Sequence, residues 1–176
     1  EVFTDPSYLG QIVVMTAPHI GNTGVNIEDE ESAKPWLSGF VVRAASPRVS
    51  NWRSQAALGD YLREHGVVGI TGVDTRALVR HIREAGALRG VISSAEPEAA
   101  RLIEAARRAP SMEGLDLVPY VTCAEPYHWA EGGPGEWGVP PSSQPYHVVA
   151  YDFGMKRNIL RLLAERGCRV TVVPAT

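Results

Sequence analysis

The chain has 176 residues, 44% of them hydrophobic, and a formal net charge of -3. That length carries one ordinary domain or one domain plus a piece of another, and the apolar fraction supports a real core, which excludes wholesale disorder. The acidic balance argues against a general nucleic-acid surface, which needs clustered Lys and Arg, and no apolar run is long enough to span a membrane.

Asp5-Pro6-Ser7 opens the readable part of the chain. Asp before Pro favours a turn. Two readings of Ser7 stand at this point. It closes a plain turn on its own backbone, which the local sequence favours, or it offers its hydroxyl to a polar ligand. Residues 11–16, QIVVMT, read as a strand. The next stretch, PHIGNTGVNIEDEES, holds two glycines and two asparagines before a run of acids. Its spacing fits neither a phosphate-binding Walker loop nor an EF-hand. It reads as a loop of definite shape, using left-handed backbone angles at glycine, followed by a solvated acidic face; such loops often form interfaces.

Residues 39–42 read as a second strand, 53–66 as a helix stopped by Gly66, and 67–71 as a third strand. Asp74 caps a helix with a Leu78 and Ile82 stripe that ends at Gly86. A strand is expected over 87–94 and a helix over 96–110, ended by Pro110. Residues 131–145, EGGPGEWGVPPSSQP, are the best linker in the chain. Beyond it, 147–152 read as a buried strand, Gly154 as a turn able to aim N–H groups at an anion, and Ile159, Leu162 and Leu163 as the apolar face of a helix. Arg157, Arg161, Glu165 and Arg166 fall on its other faces, and Gly167 stops it. Residues 170–173 are a second strand closed by Pro174. This is a parallel βαβ unit, and the class is mixed α/β.

The chemistry-bearing residues form no complete active site. Cys123 and Cys168 lack an identifiable base, and no Cys/His spacing suggests zinc. Five histidines are scattered without metal spacing. YDFG lacks the companion motifs of a protein kinase, and no serine-hydrolase elbow is present.

Three segments, TDPSYLGQIVVMTAPHIGNTGVN, VVGITGVDTRALVRHIREAGALRGVI and HVVAYDFGMKRNILRLLAERGCRVTVVPA, together resemble the small, glutamine-hydrolysing subunit of carbamoyl phosphate synthetase. The resemblance runs through essentially the whole chain, in order. It implies a swivelling β/β/α N-terminal domain over 1–130, a linker over 131–145, and from 146 to 176 the first βαβ unit of a flavodoxin-like class I glutamine amidotransferase domain. It implies a large synthetase subunit as partner, glutamine as substrate, a cytoplasmic setting, and neither nucleic acid nor membrane. No cofactor is expected in this subunit; ATP and magnesium serve the large one.

In the family, a Cys in a G-x-C-x-G-H-Q-like turn attacks the glutamine amide, with a His base and a Glu, and ammonia passes to the large subunit for synthesis from bicarbonate. None of these catalytic residues has a counterpart in this sequence, so the chain by itself is expected to be inactive. Only Ser7 matches a functional position, the serine of the DPSY motif that contacts bound glutamine. The resemblance therefore reverses the local preference for a plain turn. The competing expectation is a non-catalytic docking module of the same fold. On the truncated-domain view, Val148, Val149, Ile159, Leu162, Leu163, Val170 and Val172 are expected to be exposed.

Overall fold

A computed structural model describes residues 1–131 and 144–176. The chain divides into two compact units, neither of them one continuous segment. One comprises Glu1–Leu9, Ile27–Trp36 and Asp116–Thr176; the other comprises Gly10–Asn26 and Leu37–Leu115.

The second unit is built on a three-stranded parallel sheet of β1 (Ile12–Val14), β2 (Gly39–Val41) and β3 (Val68–Ile70), in that order. In β2 all three residues are buried, as a central parallel strand covered on both faces should be. Helix α1 (Leu58–Glu64) turns Leu58 and Tyr61 inward, and Gly66 follows it with φ 65°. Helix α2 (Thr75–Ala85) starts on Asp74, whose carboxylate accepts the Ala77 N–H at 3.0 Å, and ends at Gly86 with φ 84°. Helix α3 (Ala99–Arg108) stops before Pro110.

The strand expected over 87–94 does not form. Ile92 instead lies over the sheet: its Cδ1 is 3.0 Å from where a Cβ on Gly39 would stand. The segment packs side chain onto sheet face, and so is not available to extend the ladder.

The first unit carries α4 (Val118–Val121) and a sheet ordered β4 (Tyr127–Trp129), β6 (Cys168–Pro174), β5 (Tyr146–Asp152). β5 and β6 pair in parallel from Tyr146 with Cys168 to Asp152 with Pro174, and helix α5 (Arg157–Glu165) connects them. β4 pairs antiparallel with β6, His128 opposite Thr171. A segment preceding the expected linker thus belongs to the terminal sheet; residues 132–143 of that linker lie outside the described residues.

Two expectations for this unit are corrected. Val170 and Val172 are fully buried, because β4 and β5 flank β6 and α5 covers it; Val149, Ile159 and Leu162 are exposed as expected. The inward face of α5 is Leu160, Arg161 and Ala164, not Ile159, Leu162 and Leu163, although Leu163 packs at the edge of the core. Leu160, Val170 and Val172 form that core with Cys123, Trp129, Ala150, Met155 and Cys168 around them.

Candidate functional site

The site lies in the first unit, where the turn carrying Ser7 meets the carboxyl end of β5. Asp5 is the N-cap of a short 3-10 turn over Pro6–Tyr8. Its Oδ1 accepts the Ser7 N–H at 2.9 Å, and Pro6 supplies the fixed φ that suits a first helical position. Asp5 and Pro6 are buried while Ser7 is exposed. The turn therefore rests on two anchored residues and presents the third to solvent.

The anchor is Lys156, whose Nζ lies 2.8 Å from Asp5 Oδ2. Burial pushes the Asp5 carboxyl up, but the Lys156 ammonium and the Ser7 N–H and hydroxyl outweigh it, so its pKa falls below the ordinary value. The hydrogen bond from Asp5 raises Lys156 in turn, against the opposing effect of burial. A hydroxyl that donates to Asp5 keeps its oxygen lone pairs for an incoming donor.

The signs of these shifts set a pH window. Asp5, depressed in the fold, contributes stability above its unfolded value near ~3.9, lost as pH falls through the lower folded value. Lys156, raised in the fold, contributes below ~10.4 and is lost as pH climbs through its folded value. Asp5→Asn keeps the acceptor for the Ser7 N–H and loses the ion pair. It should cost about 1 kcal/mol at pH 7, modest because Lys156 is partly in water. Urea unfolding should show that deficit at neutral pH, and the deficit should vanish as pH falls through the lowered folded value of Asp5. A deficit that persists in acid would mean that Asp5 acts by shape and not by charge.

Gly154 follows β5 with φ 91°, and a Cβ there would stand 3.0 Å from the Pro6 Cβ and 3.1 Å from Val121 Cγ2. The absence of a side chain is what lets the Ser7 turn approach the strand end. The N–H groups at this turn do face an anion, but it belongs to the chain. Asp152 Oδ1 accepts from Gly154 N at 3.0 Å and Met155 N at 2.8 Å, and its Oδ2 accepts from Cys123 N at 2.8 Å.

The acidic stretch is likewise not a uniformly solvated face. Glu31 is buried, and its Oε2 accepts the Asn158 N–H at 2.9 Å while its carbonyl accepts the Arg157 N–H at 2.9 Å. It caps α5 from more than a hundred residues away, where the local N-cap, Lys156, makes no side-chain cap. The Glu31 N–H donates to Thr4 Oγ1 at 2.8 Å, tying that cap to the chain just before Asp5. Arg161 is buried under the same stretch and donates to the Glu28 carbonyl at 3.3 Å.

Neither cysteine gains the setting of a nucleophile. Burial, with Asp152 nearby, pushes the Cys123 thiol up, and Cys168 packs against the core. Among the described residues no cluster of three or more His, Cys, Asp or Glu side chains is disposed to hold a metal, and no helix is long and apolar enough to cross a membrane. Of the site's members, sequence reasoning singled out Ser7 and Gly154 and missed Asp5 as an ion-pair member, Lys156 and Glu31. Lys156 carried a signal: it is one of two lysines in a chain whose other basic residues are Arg.

Comparison with known proteins bears on the same segments. The family model for the carbamoyl-phosphate synthase small chain, CPSase domain, matches residues 1–92. This chain belongs to the carbamoyl phosphate synthase small-chain family. It is 58% identical over 182 residues to the carbamoyl phosphate synthase small chain of Syntrophotalea carbinolica, covering 100% of this chain and 48% of that protein. The small chain of Thioalkalivibrio sulfidiphilus is 55% identical over 179 residues, covering 99% and 47%, and that of Escherichia coli 49% over 184 residues, covering 99% and 47%. The chain thus spans about half the length of the curated relatives it matches. Membership in the small-chain family accounts for the three resembling segments, two of which supply the halves of the Ser7 site: TDPSY the turn, and YDFGMKRN the surface it rests on.

Proposed function

We propose that this chain is part of a glutamine-hydrolysing carbamoyl phosphate synthase small subunit, and that Ser7 contacts the bound glutamine. The whole subunit would release ammonia from the glutamine amide and pass it to a large subunit. There, ATP with magnesium and bicarbonate would convert it to carbamoyl phosphate for arginine and pyrimidine synthesis. The N-terminal part would be the swivelling β/β/α domain, and the β5-α5-β6 unit the opening of a flavodoxin-like amidotransferase domain. The 176 residues alone, with no thiol in a nucleophile's setting, would not hydrolyse glutamine.

The observation that carries this reading is the position of Ser7. Its turn is fixed by Asp5 and Lys156 at the carboxyl end of a parallel strand, where open α/β sheets bind their ligands. Its side chain is exposed, and its hydroxyl oxygen can accept from a donor such as the amino or amide group of glutamine.

The test compares glutamine and free ammonia as nitrogen donors, in a complete small subunit bearing this sequence and paired with its large subunit. Ser7→Ala should lower glutamine-dependent synthesis a few-fold to roughly tenfold, the worth of one neutral hydrogen bond, and leave ammonia-dependent synthesis nearly intact. An equal fall with both donors would make Ser7 a support for subunit docking. No change with either would return it to a plain turn.

A further inference from the structure

Glu31 is 4% exposed and Thr4 2%, a carboxylate and a hydroxyl taken almost wholly out of water. Such groups stay buried only where their polar atoms are satisfied. Glu31 turns its two ends to different segments. Its carboxylate and carbonyl meet the start of α5, at the Asn158 and Arg157 N–H groups, while its own N–H goes to the Thr4 hydroxyl at 2.8 Å. Thr4 is held a second time, because its carbonyl accepts the Ser32 hydroxyl at 2.6 Å, and the same Ser32 oxygen accepts the Trp36 indole N–H at 2.7 Å. The Trp36 backbone N–H then closes on the Phe3 carbonyl at 3.0 Å. Residues 3–4 and 31–36 are thus laced together. One side of the lacing runs directly into Asp5, and the other sits on the residues that follow Lys156; these are the two partners that fix the Ser7 turn. Charge suits the carboxylate to this place. α5 opens with Lys156 and Arg157, two cations at the helix end that already carries partial positive charge, and its first turn holds no acid. Glu31 supplies that acid from elsewhere in the chain. The Lys156 ammonium is held charged chiefly by its hydrogen bond to Asp5, and the Glu31 carboxylate adds to this.

We infer that Glu31 is a positioning residue for glutamine use: buried and out of reach of substrate, it holds the Ser7 turn and the start of α5 in register with each other. This rests on the reading above, that Ser7 contacts bound glutamine. A contacting hydroxyl is only as well placed as the groups behind it, and small displacements at such a contact are felt in the reaction. Arg161 keeps the segment seated independently, through the Glu28 and Glu30 carbonyls at 3.3 and 3.5 Å, so neutralising Glu31 loosens the register without releasing the segment.

The experiment measures steady-state synthesis with glutamine or free ammonia, in the complete small chain bearing this sequence paired with its large chain. Glu31→Gln keeps an oxygen for the Asn158 N–H and removes the charge. It should raise the KM for glutamine about three- to tenfold with a smaller change in kcat, and leave ammonia-dependent synthesis within about twofold. Glu31→Ala should lose more, since it leaves the Asn158 N–H without its acceptor. The deciding arm is a double-mutant cycle. In a Ser7→Ala background, Glu31→Gln should change glutamine use by less than about twofold, because a residue that acts through Ser7 then has nothing left to position. Effects that multiply instead overturn the inference and make Glu31 a support for the fold alone. So does an equal loss with both nitrogen donors, or a KM unchanged by Glu31→Gln where Ser7→Ala raises it. If Ser7→Ala itself leaves glutamine use untouched, the inference falls together with the reading it rests on.

Discussion

Asp152→Ala is expected to unravel the junction between β5 and α5. The Asp152 carboxylate is buried and accepts three backbone N–H groups, from Cys123, Gly154 and Met155. Hydrogen bonds to a charged acceptor are worth about 1.5–3 kcal/mol each, and donors left unpaired keep their desolvation cost. Three bonds sharing one acceptor do not add fully. The expected loss is therefore about 3–5 kcal/mol, a large fraction of an ordinary domain's stability. Amide exchange should speed most at Gly154, Met155 and Cys123, and next along β5.

Asp152→Asn separates charge from geometry. Its amide oxygen can still accept from Gly154 and Met155, but its NH2 would face the Cys123 N–H, donor against donor. It should fall between Asp152 and Ala, with most of its loss at Cys123. A total loss under about 1 kcal/mol for Asp152→Ala would mean that water replaces the carboxylate at little cost, and that this turn is held by packing alone.

The sequence was most legible where a local rule sufficed. Asp74 and Gly86 bracket α2 as a cap and a stop should, and the β-branched runs at 147–152 and 170–173 became the paired strands β5 and β6. Gly21 and Gly24 took the left-handed angles their loop suggested. Legibility failed where a distant segment decided the outcome. The hydrophobic pattern of α5 could be rotated to bury either Ile159 and Leu162 or Leu160 and Ala164. Arg161, satisfied by carbonyls at Glu28 and Glu30, selects the second. Glu31 read as one acid in a hydrophilic run because its partner, the start of α5, lies 127 positions away. At the site, Ser7 was visible through the DPSY resemblance. The Asp5–Lys156 pair was not, since nothing in a linear reading brings residues 5 and 156 together.

Proximity of distant segments also makes Gly154→Ala the sharpest test of the site. Two costs combine at this position. The backbone stands at φ 91°, where an L side chain loses about 1–2 kcal/mol. The added methyl would also sit 3.0 Å from the Pro6 Cβ and 3.1 Å from Val121 Cγ2, and relieving such overpacking costs about 1–3 kcal/mol. Together they predict a loss of about 2–5 kcal/mol in urea unfolding. Gly66→Ala supplies the control, because Gly66 also has a positive φ, 65°, but no atom within 4 Å of its would-be Cβ. It should lose only the backbone part, about 1–2 kcal/mol. The excess at Gly154 is the part that reaches function. Pro6 is held between Asp5 and Ser7, so a displaced Pro6 moves both the ion pair with Lys156 and the hydroxyl. In the complete two-subunit enzyme, Gly154→Ala should therefore reduce glutamine-dependent synthesis more than Ser7→Ala does, while ammonia-dependent synthesis falls less. If Gly154→Ala and Gly66→Ala prove equally mild and glutamine use is unchanged, Pro6 yields freely, and the close approach of the Ser7 turn to β5 does not govern the site.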